Sequence, residues 1–104
     1  MLAKARRLMS LEVTDVLKRG RSSRGIYLSI KYVSNLDPLR TSVIVPKSVA
    51  KGAVERNSLR RATYHALAPF SGSGNAIIFV QKKPNTHLQA RFSEDLTHLL
   101  RHTA

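Results

Sequence analysis

Residues 45–61 read VPKSVAKGAVERNSLRR, and the second half of that stretch carries three arginines, a glutamate and an asparagine in eight positions. Read as a helix at about 100° per residue, Arg56, Asn57, Arg60 and Arg61 fall within roughly 140° of one another. Leu59, Ala62 and Ala66 gather on the opposite side. The spacing predicts a helix with a narrow apolar back and a basic front. Pro46 closes a strand before it, and Pro69 stops the helix, so its expected span is about 48–67.

The pattern continues outward. Residues 10–20, SLEVTDVLKRG, predict a short helix with Ser10 as N-cap, acids at the positive end of its dipole, Lys18 and Arg19 at the other, and Gly20 as the stop. Residues 21–25, RSSRG, read as a basic loop. Residues 26–33 alternate and are rich in β-branched and aromatic side chains, which predicts a strand. Ile26, Leu28, Ile30 and Tyr32 share one face; Tyr27, Ser29, Lys31 and Val33 share the other. Residues 40–45, RTSVIV, give a second strand, expected as its hairpin partner. AIIFVQ, residues 76–81, is continuously apolar and belongs at the centre of a sheet. Residues 91–104 form a last helix with Phe92, Leu96, Leu99 and Leu100 inward. The order is α-β-β-α-β-α with room for one extra short strand: an α+β two-layer sandwich, 1–104 being one domain.

The chain has 104 residues, 18 Lys+Arg against 6 Asp+Glu, and a net charge of +12. That imbalance repels itself in a compact state and suits a polyanion. There is no cysteine, which excludes disulfides and thiolate metal sites. No apolar run is long enough to span a bilayer, and the basic N-terminus lacks the apolar centre of a secretion signal, so the expected location is the cytoplasm. His98 and His102 stand at i, i+4, but with no glutamate between them and no third ligand nearby they make a poor zinc motif. No carboxylate pair reads as a catalytic dyad. Arginine forks suit phosphates, and an asparagine among them adds a neutral donor and acceptor, a mixture fitted to folded RNA.

The 45–61 stretch resembles the signature segment of the bacterial ribonuclease P protein subunit, a strand leading into a helix with an Arg-Asn core and spaced basic residues. The basic N-terminal arm, the helix ending in LKRG, the strand pair and IIFVQKKP come in that family's order. The chain departs from the pattern at Ser58 and Tyr64, which stand where basic residues are usual, and at Val13, Leu17 and Ile30, where aromatics are. The resemblance implies a left-handed βαβ crossover. It also implies an accessory protein whose partner, the catalytic RNA, cleaves precursor tRNA with Mg²⁺ held mainly by that RNA. Lys47, Arg56, Asn57, Arg60 and Arg61 would then bind the catalytic RNA. Val13, Leu17, Leu28 and Ile30 would line a cleft for the 5′ leader, with Arg21, Arg24 and Lys82 on its phosphates, in a 1:1 ribonucleoprotein without a membrane. The competing readings are a ribosomal or RNA-chaperone protein with no part in tRNA processing, and a metal-dependent nuclease using His98 and His102.

Overall fold

The computed structural model describes residues 7–103, with side chains described through Arg101. Three helices, α1 (Ser10–Arg19), α2 (Ala53–Leu67) and α3 (Leu88–Thr103), accompany four strands, β1 (Arg21–Arg24), β2 (Leu28–Pro38), β3 (Arg40–Ile44) and β4 (Ser73–Val80). The sheet order is β1-β2-β4-β3. β2 is antiparallel to both β1 and β4, and β3 is parallel to β4. No helix among the described residues is long and apolar enough to cross a membrane.

β4 takes a central place, as its unbroken apolar run requires: residues 74–78 and Val80 are all buried, which demands cover on both faces. That demand overturns the expected hairpin. β2 and β3 are neighbours in the chain, but β4 inserts between them. The hairpin partner of β2 is β1, the segment read as a loop. RSSR has no apolar residue to show a strand period; only pairing with β2, Arg21 opposite Tyr32 through Arg24 opposite Ser29, makes it one.

Alternation then gives the two faces different work. Leu28, Ile30 and Tyr32 of β2 join Ala76, Ile78 and Val80 of β4 in a buried cluster under α2 and α3. Leu59, Ala66 and Leu67 enter it from α2, and Phe92, Leu96 and Leu99 from α3. Burying such side chains contributes about 1.5–3 kcal/mol each. On the opposite face α1 packs against β4 and β2, with Val16 and Ile77 both fully buried outside that cluster.

Local boundaries also differ from the sequence reading: β2 runs on to Pro38 and α3 begins at Leu88. α1 begins one residue early: Met9 occupies the N-cap, and its N–H donates to Glu12 Oε1 at 2.9 Å, the Glu half of a capping box. Gly20 stops α1 without entering the left-handed region, since its φ is −67°. Glycine is needed there for proximity; a Cβ would lie 2.5 Å from the Val16 carbonyl oxygen and 3.2 Å from Lys31 Cβ. α2 begins at Ala53, later than expected, because Val49 and Ala50 turn back onto the Pro46 carbonyl and Gly52 is extended. At the far edge of the sheet the N-terminal arm bridges β3: Arg7 pairs in parallel with Thr41, and the Leu8 N–H donates to the Thr41 carbonyl at 2.9 Å.

Candidate nucleic-acid interface

The basic front of α2 is present, and its members are not equivalent. Arg61 and Asn57 are exposed, and Arg60 and Arg56 half-buried. Arg60 Nη1 donates to Asn57 Oδ1 at 2.6 Å. The i, i+3 spacing thus lets the asparagine hold one side of the fork. The Arg61 side chain makes no hydrogen bond or ion pair among the described residues. Arg56 is different: its Nη1 donates to the carbonyls of Ala50 (3.0 Å) and Lys51 (2.5 Å). It fastens the turn that carries exposed Lys47 to the start of α2. Ser58 is exposed, whereas Tyr64 is 7% exposed in the core, where its hydroxyl accepts the Val43 N–H at 3.3 Å. A basic side chain at 64 would be buried without a partner, so only the change at Ser58 removes charge from the surface.

A second basic surface lies on the sheet face that α1 leaves uncovered. It is a groove of about 360 Å³ whose walls include Ser22, Arg24, Ser29, Lys31, Phe79 and Gln81. Register builds it: Arg24, Ser29 and Phe79 stand side by side across β1, β2 and β4, next to the row Ser22, Lys31 and Ile77. Gln81 Nε2 donates to Ser29 Oγ at 3.0 Å. Lys31 Nζ donates to the Leu17 carbonyl at 3.1 Å, a cation at the negative end of α1.

Leu28 and Ile30 do not line this groove with their side chains. They are 0% and 1% exposed in the core on the other face. Alternation had already separated them from Ser29 and Lys31; the groove belongs to the polar row. Val13 is half-buried on α1 and Leu17 is 42% exposed beside it. Lys82 is exposed, and its N–H and that of Gln81 donate to the Tyr27 carbonyl at 3.1 and 2.8 Å. This seam brings Lys82 to the same end of the sheet as Arg24. Arg21 is exposed at the other end of β1, three residues away and in the alternate row.

The turn between β1 and β2 is held from a distance. Asp95, 6% exposed on α3, accepts the backbone N–H groups of Ile26 (3.0 Å), Tyr27 (2.8 Å) and Leu28 (2.8 Å). Successive N–H groups closing on one carboxylate satisfy its charge without a cation. Gly25 is the residue that permits the approach, since a Cβ there would sit 2.6 Å from Asp95 Oδ1. Sequence reasoning missed Asp95 because its partners lie 67 to 69 residues away.

The remaining acids are mostly occupied. Glu12 pairs with Arg40, Glu55 with Lys83, and Asp15 with Arg19 at 2.6 Å. The hydrogen bond from Arg19, helped by its charge, holds the Asp15 carboxyl below the usual carboxylate range. No three His, Cys, Asp or Glu side chains gather in a metal-sized group among the described residues. His98 lies on α3, and the side chain of His102 falls outside the described residues.

These features define a class: a small, strongly basic α+β domain with two cationic surfaces of different construction. The family model described as Ribonuclease P matches residues 2–104. The chain belongs to that family. Its fold is similar to the ribonuclease P protein of Staphylococcus aureus, with TM-score 0.79, 20% identity and 95% of each chain covered. It is similar as well to that of Thermotoga maritima, with TM-score 0.80, 19% identity, and 94% of this chain and 97% of that one covered. A search of the curated proteins finds no significant match.

Proposed function

We propose that this chain is the protein subunit of a bacterial ribonuclease P, binding both the catalytic RNA and the 5′ leader of precursor tRNA in the cytoplasm. The observation that carries the reading is the pairing of two separate cationic surfaces on a family member. One subunit of this kind can hold two RNAs at once. The α2 front, Arg60 and Arg61 with Asn57 and Lys47, faces the catalytic RNA; Arg56 serves it by shaping the turn before the helix. The groove takes the leader. Lys31, Arg24 and Lys82 neutralise phosphates along it, Phe79 offers a ring face to a base, and Ser22, Ser29 and Gln81 offer hydrogen bonds. Val13 and Leu17 on α1 are assigned to its apolar side, although neither is among the residues that wall the groove, and Arg21 extends the charge along the β1 edge.

The chemistry belongs to the RNA in this reading. Mg²⁺ would be held mainly by that RNA, and its chemistry there would be Lewis-acid activation of water. The protein positions substrate and lowers the repulsion between two polyanions, so less Mg²⁺ is needed for them to meet. The test is precursor-tRNA cleavage by the cognate RNA at low Mg²⁺, with and without the protein, beside the protein alone. Cleavage at the mature 5′ end should need the RNA and rise on adding protein, while the protein alone stays inactive. RNA binding without stimulation would favour a ribosomal or chaperone role. Site-specific cleavage by protein alone, lost in His98→Ala, would favour a nuclease.

A further inference from the structure

On the other side of the β1–β2 turn, against α3, lies a second and larger depression of about 560 Å³. Arg24, Tyr27, Arg91 and His98 contribute to its walls, with Ile26 at the lip. Arg24 borders both this depression and the sheet groove. The two hollows therefore meet at one exposed arginine, at the tip of one hairpin.

The walls are built in advance. Asp95 ties the Ile26, Tyr27 and Leu28 N–H groups to α3, and the Tyr27 carbonyl is held from the other side by Gln81 and Lys82. Tyr27 is packed against the core with its ring half-buried. Ile26, in contrast, is 73% exposed, an apolar side chain standing in water beside Arg24 and Arg91. The Asp95 carboxylate in the wall is engaged by three backbone N–H donors. Glu94 is the one exposed acid in the wall, set against two arginines. Apolar and aromatic surface between guanidinium groups suits single-stranded RNA, whose bases stack while its phosphates pair.

We infer that this depression is a second leader subsite, which takes the nucleotides of the precursor that have run beyond the sheet groove and turned past Arg24. The inference rests on the groove being the leader site. The only free end of a leader is its 5′ end, so the second hollow serves long leaders and is empty with short ones. It makes the protein a reader of leader length.

The experiment uses the assembled holoenzyme and precursor tRNAs with leaders from one nucleotide up to about 16, near the largest site of single-strand binding domains. Arg91→Ala, at an exposed position, should leave short-leader and mature tRNA affinity unchanged. Above a threshold length it should weaken binding by about tenfold, the loss of one charge-assisted hydrogen bond, and flatten the log–log salt slope by about 0.7. Ile26→Ser should weaken the same long leaders. An equal loss at every length, or none at any length, overturns the inference. So does weaker binding of Arg91→Ala to the catalytic RNA alone, which would give this surface to that RNA. Phe79→Leu separates the two readings: if it leaves even short-leader binding intact, the groove assignment fails by itself.

Discussion

The front of α2 and the groove of the sheet carry the same kind of charge and are made in opposite ways. On α2 a local repeat places the arginines, and a hydrogen bond three residues long, Arg60 to Asn57, aims one of them. In the groove no segment is complete by itself. Ser29 and Gln81 meet across 52 residues, Lys31 is steadied by a carbonyl of α1, and the turn that ends the groove hangs from Asp95 on the last helix. The first surface survives as long as a helix does. The second exists only when the whole fold is assembled, so it should be the part of the protein most sensitive to distant changes.

The largest effect that could break this contrast comes from Asp95→Ala. It strands three N–H groups, that of Leu28 buried and those of Ile26 and Tyr27 half-buried; a buried unpaired donor costs about 1–3 kcal/mol, so we expect a stability loss of about 2–3 kcal/mol by urea unfolding. A loss below about 1 kcal/mol would mean the turn holds itself and the groove is as local as the stripe.

Within the stripe, Arg61→Ala should weaken catalytic-RNA binding by about tenfold and lower the salt slope by about 0.9, with stability within about 0.5 kcal/mol of the parent. Arg56→Ala should do the reverse in kind, losing about 1 kcal/mol of stability through the freed Ala50 and Lys51 carbonyls. Identical behaviour of the two variants would erase the distinction between displayed and structural arginines. The smallest effect concerns Phe79→Leu. Base–aromatic stacking is worth about 1–3 kcal/mol, and leucine keeps part of the contact, so precursor affinity should fall about fivefold with mature tRNA unchanged. Equal loss for both RNAs would remove Phe79 from the leader path.

What could be read in the sequence follows the same line. α2, its basic face, α3 and the central place of β4 all leave local signatures, a 3.6-residue period or an unbroken apolar run. β1 leaves none, because RSSR becomes a strand only through β2. The pairing of β3 with β4 depends on which edges remain after β4 takes the centre. Ser29 and Lys31 were separable from Leu28 and Ile30 by alternation, yet alternation does not say which row faces α1. Apolar side chains drew the expected cleft to the row that the core had already claimed.

The bridge between Arg7 and Thr41 has a consequence for the protein before it meets any RNA. Unpaired strand borders are templates on which a second chain can grow. Here one border is occupied, at Thr41, by the chain's own arm, while the other, β1, ends in arginines that repel a copy of themselves. Both borders thus disfavour edge-to-edge pairing with a second copy of the chain.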